Sequence, residues 1–514
     1  MQTRKISNIL KISIFATGCA GIVAEFVLST LATYLSGNAV FQWTIVMSLM
    51  LFAMGIGSRL TIFFAKNLID TFIKIEFLLS IMCASSAFIS YGLLVFTSNI
   101  HIIIYLLAAL IGCLIGMEIP MVTRLNEEYE ELRINISSVL EKDYYGSLLG
   151  GLLFAFIALP YLGLTYTPII LGTVNFIVAS FMMFCFFSYL NNKSLNTFLF
   201  FLCFIILICL FIFSKPIILF GEQSKYKDKI IFEKQTAYQK IVITQWKNYY
   251  WLYLNSQQQF STYDEMRYHE PLVHPVVKLS INSQNVLILG GGDGLAVREV
   301  LKHKNVKKIT LVDLDPAMTD LAKNNNILAN INKSSMNDKR VKILNNDALT
   351  FLEQCNDLFG VIIVDLPDPD TIDLMHVYSL DFYKLIYRHL IKGGVFVTQA
   401  TSPFFAKMAF LCIIKTINSS DFYTFPYHNH IPTMGEWGFV IGAKNKDITE
   451  SLLREKILNS DFSDIDTGFI NNDAMISMSY FGKGIFESKN NVNVNTNLNP
   501  ILHKYYSKGS WGMY

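Results

Sequence analysis

The 514-residue sequence predicts an α-helical, multi-span membrane domain followed by an α/β domain with a doubly wound, mostly parallel sheet. Long apolar runs with almost no charge follow one another up to residue 220. From residue 285 onward, short strand-like segments alternate with helical ones. With 52% hydrophobic and 16% charged residues, the chain is too apolar for an ordinary soluble protein of this length. The net charge of +2 gives no reason to expect a nucleic acid partner.

The first predicted domain comprises residues 1–220. A bilayer core about 30 Å thick requires roughly 20 apolar residues in a helix. The first such run is too long for a cleaved signal, and more follow it. Seven segments meet the requirement, namely 12–35, 39–63, 72–97, 101–123, 144–163, 167–190 and 197–220.

Basic residues occur in every second connection between these segments, and the alternate connections carry none. They are Arg4, Lys5, Lys11, Arg59, Lys66, Arg124, Arg133, Lys142 and Lys193. The positive-inside rule therefore predicts a cytoplasmic N-terminus in a cell inner membrane. The second half of the chain is also expected to lie in the cytoplasm. Both ends of the membrane domain would then be on the same side, so the number of full crossings, between six and eight, should be even. We therefore expect residues 197–220, interrupted by Lys215 and Pro216, to lie partly in the interface or to re-enter.

Four acidic residues lie within or against the apolar segments: Glu25, Glu76, Glu118 and Asp143. Ionisable groups at membrane depth are costly and usually face a bundle interior or a wet cavity. One interpretation is a cation pathway or cation-binding cavity. The other, which we favour, is hydrogen bonding between helices.

A β-strand subdomain, consisting of a β-hairpin or small sheet, is predicted at residues 221–284, because Tyr238–Trp246 and Tyr249–Leu254 alternate and are rich in β-branched and aromatic types. The third domain, residues 285–514, is the doubly wound one. Its predicted strands are Val286–Leu289, Lys308–Val312, Val341–Leu344, Val361–Val364 and Gly394–Gln399, and its predicted helices are 295–303, 316–329, 348–354, 380–390 and 404–418.

A glycine-rich turn, Gly290–Gly294, ends the first of these strands and includes Gly290, Gly292 and Asp293. Glycines there permit a tight turn and close approach of the backbone to a ligand. Asp313 follows about 20 residues later, where an acid can bind ribose hydroxyls. Because no extended pyrophosphate-binding pattern accompanies it, an adenosine without phosphates fits better than a dinucleotide.

Further acids end the next strands: Asp347, Asp365 and Asp368. Any one aspartate at such a place can be a helix cap. Together with Asp293 and Asp313, these acids make five aspartates at the carboxyl edge of one sheet. Such a group predicts an acidic pocket suited to a cationic substrate. The eight cysteines and nine histidines show no metal-binding spacing, so no metal is expected.

Several motifs resemble those of the spermidine synthases, the polyamine aminopropyltransferases, over roughly residues 233–445. They are Leu254–Gln259, Asp264-Glu265, Tyr268–Glu270, Gly290–Gly294, Asp313, Asp365–Pro369 and Phe382-Tyr383. Within this family, the chain resembles a membrane-fused bacterial branch. The features that carry this resemblance are the form of Asp365–Pro369, the segments Ala400–Pro403 and Gly435–Gly438, and the apolar first half. The resemblance implies a Rossmann-like domain that transfers the aminopropyl group of decarboxylated S-adenosylmethionine, a cosubstrate, to putrescine or a related amine without metal. Spermidine and 5′-methylthioadenosine are the implied products.

The resemblance also implies roles for individual residues. By this resemblance, Gln259 and Asp293 hold the aminopropyl side of the donor beside the glycine loop. Asp313 holds the ribose, and Asp347 holds the adenine. Asp365 is the base, and the amine channel is lined by Tyr268, His269 and Asp368. The chain departs from the soluble enzymes at Met434–Trp437, next to the amine site. Cadaverine, a diaminopropane and spermidine are therefore alternative acceptors.

Two other functional classes are compatible with parts of the sequence. A methyltransferase using intact S-adenosylmethionine would share the sheet and the glycine loop. A membrane polyamine transporter or sensor would use the intramembrane carboxylates and a ligand-binding soluble half. Expected partners are the amine, the donor and the lipid bilayer, and a homo-oligomer is left open.

Overall fold

The computed structural model describes residues 2–36, 39–64, 66–97 and 99–511. The chain forms two compact units, Met1–Ile230 and Ile231–Tyr514. Unit 1 is helical, and unit 2 contains two β-sheets with helices. The predicted fold class, a polytopic helical domain followed by a doubly wound α/β domain, is confirmed. The three domain boundaries placed on the sequence stay a prediction.

The described residues of unit 1 form seven long helices. They are α1 (Gln2–Ser36), α2 (Ala39–Leu60), α3 (Leu68–Leu94), α4 (Ile100–Asn126), α5 (Leu132–Leu153), α6 (Gly163–Cys185) and α7 (Lys193–Gln223). Wider helical turns at Phe154–Leu162 join α5 to α6, so that Leu132–Cys185 forms one 54-residue helical stretch. If this stretch is counted as a single helix, six of the described helices are long and apolar enough to cross a membrane. All seven predicted segments fall largely within these helices.

The helices α1, α3 and α7 run in the same direction. Asp70, near the start of α3, accepts a hydrogen bond from Asn196 at the start of α7 (2.7 Å). At the other end, Tyr34 of α1 contacts the ring of Tyr91 of α3 and donates to Glu222 of α7. A 35-residue helix is about 52 Å long. The start of α1 and the end of α7 therefore lie at opposite ends of the bundle.

This arrangement corrects the expectation for residues 197–220. They belong to one continuous 31-residue helix that packs along α3, despite Pro216 within it. The break expected at Lys215 and Pro216 is therefore absent from α7. Helix α6 runs opposite to α3, since Gly172 faces Ala84 and Phe176 contacts Phe77. Unit 1 therefore passes from end to end an odd number of times, and the predicted even number of full membrane crossings stays a prediction.

Small residues let the helices of unit 1 approach closely. A Cβ added at Gly146 or Gly150 of α5 would lie 2.1 or 2.4 Å from a backbone oxygen of α1, too close for any side chain. Two of the acids noted in the sequence, Glu76 of α3 and Glu118 of α4, are buried. Both carboxylate oxygens of Glu76 lack a hydrogen-bond partner among the described residues. The hydrogen-bonding interpretation and the cation-binding one therefore both stay predictions.

Unit 2 begins with a four-stranded sheet in the order β1 (Lys229–Gln235), β2 (Lys240–Trp246), β3 (Tyr249–Leu254) and β4 (Gln257–Ser261). The strands β2 and β3 form the predicted hairpin. Helix α8 (Met266–Leu279) leads from it to the main sheet.

The main sheet has seven strands in the order β10-β11-β9-β8-β5-β6-β7. They are β5 (Asn285–Gly290), β6 (Lys308–Asp313), β7 (Val341–Asn345), β8 (Phe359–Asp365), β9 (Leu390–Gln399), β10 (Phe422–Ile431) and β11 (Gly435–Lys444). Strands β5 to β9 are parallel, and β10 and β11 are antiparallel additions at one edge. Because β6 and β8 flank β5, the strand order reverses there, which is where such sheets bind ligands.

Both faces of the sheet are covered, as the strand sequences require. Val286 and Ile288 of β5 pack into one core, and Leu287 and Leu289 pack into the other, all fully buried. Burying such a side chain contributes about 1.5–3 kcal/mol. The helices α9 (Leu295–Leu301), α10 (Pro316–Asn324), α11 (Asn326–Ile331), α12 (Ala348–Gln354), α13 (Leu380–His389), α14 (Lys407–Asn418), α15 (Glu450–Leu458), α16 (Asn472–Met478) and α17 (Leu502–Ser507) complete unit 2. The single helix predicted at 316–329 is divided at Asn325, which caps α11.

Candidate active site

The glycine loop lies where β5 meets β8. Gly290 pairs with Asp365 across the two strands and has φ +82°, a conformation that favours glycine. A Cβ at Gly290 would lie 2.1 Å from the carbonyl oxygen of Asp365, and one at Gly292 would lie 2.5 Å from a carboxylate oxygen of Asp313. The glycines therefore let three strand ends converge without side chains between them.

Three of the strand-end aspartates also stabilise local backbone. The Oδ1 atoms of Asp293 and Asp313 accept from backbone N–H groups two residues onward, at 2.8 and 2.9 Å. Asp347 caps α12 by accepting from Thr350, and its Oδ2 faces His376. Asp347 is thus a helix cap, whereas Asp293 and Asp313 each use one oxygen in a local turn.

Two further acids, Asp365 and Asp368, lie at the end of β8 and in the loop that follows it. Tyr268 of α8 donates to Oδ1 of Asp365 at 2.7 Å. Asp368 is buried and accepts from Gln399 (3.2 Å), Thr401 (3.4 Å) and Tyr506 (2.9 Å). These contacts fix the orientation of both carboxylates before any ligand binds.

His269, next to Tyr268 on α8, is buried among acidic groups. Its Nδ1 lies 3.0 Å from Oε2 of Glu265, and Arg298 holds both oxygens of Glu265 at 2.8 Å. Burial favours the neutral ring, but the hydrogen bond and charge of Glu265, with Asp293 and Asp365, raise the pKa of His269 to about 9. His269 is therefore a cation within the acidic pocket at neutral pH.

Burial also changes the acids. It raises the pKa of Asp365 to about 6, with Asp293 adding to the increase while His269 and Tyr268 oppose it. Burial raises the pKa of Asp368 to about 7 and that of Asp313 to about 6. A carboxylate with a raised pKa is a stronger base than a free one, and such groups concentrate at functional sites.

The pH dependence of activity follows from these values. The resemblance implies that Asp365 is the base, and a base must be ionised to accept a proton, so we expect kcat/KM to fall as the pH drops through about 7 to 6, rather than near 4. The pH profile between 4.5 and 8.5, measured with saturating donor, tests this. In Asp368→Asn, the fall in activity at low pH should follow a single ionisation. A fall centred near pH 4 in the wild type would contradict the raised pKa values.

Most of the residues singled out from the sequence converge. Asp293, Asp313, Asp365, Tyr268 and His269 lie close enough to influence one another electrostatically. Asp368 lies beside Tyr268. Two lie further out: Asp347 follows the edge strand β7, and the amide of Gln259 in β4 donates to the carbonyl of Gln257.

Sequence reasoning missed four residues that shape the site. Glu265 was noted only within a motif, and Arg298, Gln399 and Tyr506 were not considered. Arg298 and Gln399 give no local signal, because their partners lie 33 and 31 residues away. In the part of the chain that the structure describes, no group of three or more His, Cys, Asp or Glu side chains could hold a metal ion.

Known proteins similar to this chain include relatives that cover nearly its whole length. The spermine/spermidine synthase domain matches residues 265–452. A polyamine aminopropyltransferase of Aquifex aeolicus is 43% identical, over 98% of this chain and 99% of its own length. A polyamine aminopropyltransferase of Leptospira interrogans is 37% identical, over 97% of this chain and 98% of its own. The crystal structure of spermidine synthase from Thermotoga maritima is 24% identical over 51% of this chain and 87% of its own, with a TM-score of 0.43. The chain therefore belongs to the spermine/spermidine synthase family, and it is an enzyme of the polyamine aminopropyltransferase class.

Proposed function

We propose that the chain transfers the aminopropyl group of decarboxylated S-adenosylmethionine to putrescine or a related amine, with Asp365 as the general base. The observation that carries this proposal is that Asp293, within the glycine loop, and Asp365, at the end of β8, are near enough to influence each other electrostatically, with Tyr268 orienting Asp365. In the proposal, Asp365 takes the amine and Asp293 the donor's terminal ammonium.

The proposed reaction needs little beyond alignment and one proton transfer. An alkylammonium has a pKa near 10, so a carboxylate must bind it and draw off one proton. Asp365 accepts that proton, and the free amine attacks the carbon bound to the sulfonium sulfur. The carbon–sulfur bond breaks, and 5′-methylthioadenosine leaves as a neutral thioether. Aligning the two reactants provides much of the acceleration in such a displacement.

The donor roles are those that the family resemblance implies, and the position of the acids at the carboxyl edge of the sheet supports them. We assign the ribose hydroxyls to Asp313 and the adenine amino group to Asp347, which lie at the ends of neighbouring strands, and the aminopropyl ammonium to Asp293 with Gln259. Tyr268, His269 and Asp368 line the amine side. Decarboxylated S-adenosylmethionine is a cosubstrate in this scheme, and no step requires a metal.

Product analysis tests the proposed activity. Detergent-purified full-length protein is incubated with labelled decarboxylated donor and a panel of amines, and the products are identified by mass. We expect methylthioadenosine and an amine heavier by one aminopropyl group in equal amounts. A methylated amine made from the intact donor would instead indicate a methyltransferase.

We also propose that unit 1 is embedded in the inner membrane and that the catalytic unit faces the cytoplasm, where the donor is made. Six long apolar helices support the membrane part of this proposal. If every pass along the bundle crosses the membrane, the start of α1 and the end of α7 are on opposite sides. A cytoplasmic catalytic unit then places the basic connections outside, against the positive-inside rule.

Cysteine labelling decides between these placements. Single cysteines replace the exposed Lys193 or the exposed Lys227, at opposite ends of α7, in a chain lacking its eight native cysteines. With a membrane-impermeant maleimide on intact cells, we expect position 193 to be labelled and position 227 to be protected until lysis. Labelling at 227 alone would place the catalytic unit outside, and protection at both would show that α7 does not cross.

A further inference from the structure

Arg298 of α9 bridges two buried carboxylates. Its Nη2 donates to both oxygens of Glu265, each at 2.8 Å, and its Nε donates to Oε1 of Glu299 at 2.8 Å. The remaining terminal nitrogen, Nη1, donates to the carbonyl of Ile331 at 3.0 Å. Three separate acceptors therefore hold the planar guanidinium in one orientation, which the single ammonium of a lysine could not reproduce.

Glu299 anchors Arg298 on the side away from the glycine loop. It is fully buried, and its Oε2 accepts from Nε2 of His274 at 2.9 Å and from Lys302 at 2.6 Å. These two donors satisfy Oε2, and Oε1 is bonded to Arg298. A buried ion pair whose oxygens are all bonded keeps one geometry, so Arg298 does not depend on a ligand for its position.

Glu265 connects Arg298 to His269, which lines the reaction site. Oε2 of Glu265 and its backbone carbonyl each lie 3.0 Å from Nδ1 of His269. Because both of these atoms are acceptors, Nδ1 must carry a hydrogen. Burial favours a neutral Glu265, but His269 and Arg298 outweigh it and hold the pKa of Glu265 below its usual range. The imidazole is thus bonded to an ionised carboxylate that Arg298 fixes.

The charged and titratable groups around His269 come from α8, α9, the glycine loop and β8. They are Glu265, Tyr268, Arg298, Asp293 and Asp365. Burial raises the pKa of both Asp293 and Asp365, and the positive charge of His269 opposes that increase in each. One cation therefore acts on two acids at once.

The proposed reaction requires those two acids to be ionised together. Asp293 is assigned to the ammonium of the donor, and Asp365 is assigned to the proton of the amine. Neighbouring carboxylates disfavour each other's ionisation, and burial adds to the effect. A cation held beside both acids offsets this, provided that it keeps its charge in a buried position. Burying such a cation requires a paired and hydrogen-bonded anion, which Glu265 supplies.

We propose that Arg298 is a positioning residue for aminopropyl transfer, which through Glu265 keeps His269 as a fixed cation beside Asp293 and Asp365 and so allows both acids to be ionised together. The inference rests on the proposed function and deepens it. It assigns the pH range of the reaction to an ion-pair network on α8 and α9, and not to the base alone.

Arg298→Met tests the proposal, because it removes the charge and keeps an unbranched side chain. Without Arg298, the buried pair of Glu265 and His269 should become neutral, since it has lost its third charge. Asp365 then has no cation beside it. We expect the fall in kcat/KM at low pH to be centred at least about one pH unit higher than in the wild type, the lower end of the effect of one close charge.

The upper end of the pH profile separates this role from a structural one. Near pH 9, Asp365 is ionised in either protein and His269 of the wild type also begins to lose its charge, because its pKa is about 9. Activity of Arg298→Met should there return to within about threefold of the wild type, close to the margin of a neutral substitution. A merely structural role would lower activity by the same factor at every pH.

Two further variants make the test independent of the folding of Arg298→Met. Glu265→Gln keeps the shape of the side chain but removes the anion, and it should give the same upward displacement of the profile. Arg298→Lys keeps the charge, and its profile should lie within about half a pH unit of the wild type, below the effect of losing a close charge. Thermal unfolding at pH 9 checks that each variant is folded.

Arg340→Met is the matched control, since Arg340 also pairs with a carboxylate, that of Asp338, through Nε and Nη2 at 3.1 Å. Its profile should match the wild type. A wild-type midpoint in folded Arg298→Met or in Glu265→Gln would overturn the proposal, and so would an equal displacement in Arg340→Met. If the wild type forms no product with any amine at any pH, the proposed function itself fails, and that outcome is distinct from these.

Discussion

Replacing Asp365 by asparagine is expected to lower turnover at least about 100-fold, the usual scale for a positioned general base. Asparagine keeps the shape of the side chain and can still accept from Tyr268 through its oxygen, but it cannot take a proton from the acceptor. Donor binding should be nearly unchanged. Single-turnover rates with saturating donor and amine measure the chemical step directly.

The control for this change is Asp373→Asn, which removes an exposed carboxylate eight positions along the same loop. It should keep the wild-type rate. The opposite result for Asp365→Asn, a rate within about threefold of the wild type, would remove Asp365 from the role of base, because such a loss is far below that expected for one. Since Asp368 also has a raised pKa, Asp368→Asn should then show the larger loss.

Asp293 is expected to select the decarboxylated donor over intact S-adenosylmethionine. Its carboxylate would pair with the terminal ammonium and repel the carboxylate that the intact molecule carries. Two like charges about 4 Å apart, at an effective dielectric constant near 20, repel by roughly 4 kcal/mol before relaxation. We therefore expect wild-type affinity to differ between the two donors by at least about 100-fold, which is below the roughly 1000-fold of the unrelaxed limit.

Asp293→Asn is the informative variant, because its side-chain oxygen can still accept from Leu295 and keep the loop in place. Calorimetric titration of both donors should show the preference reduced to within about tenfold, mainly through weaker binding of the decarboxylated donor. Asp320→Asn, an exposed acid on α10, should retain the full preference. Equal wild-type affinity for the two donors would contradict the role of Asp293 and favour methyl transfer.

Local sequence was sufficient for the parts of this protein that depend on short-range patterns. Apolar runs long enough to span a bilayer, and buried strands such as Val286–Leu289 alternating with helices, determined the fold class. The glycine loop and the acids Asp293, Asp313 and Asp365 could also be identified, because carboxyl ends of parallel strands meet at one edge whatever the details of packing. The continuity of α7 could not be predicted in this way. Lys215 and Pro216 suggest a break in the helix, but α7 continues through them and packs against α3.

Only the tertiary structure decided which distant groups complete the site. Arg298 reaches Glu265 from the helix after the glycine loop, and Tyr506 reaches Asp368 across 138 residues. Neither contact has a periodicity or a spacing that a linear pattern can express, because each depends on how whole elements pack. The pKa values of Asp365 and His269 belong to the same class. These pKa values are set by burial and by charges on other elements. The sequence therefore determined which side chains could act as acids or bases, and the packing determined how strong an acid or base each one is.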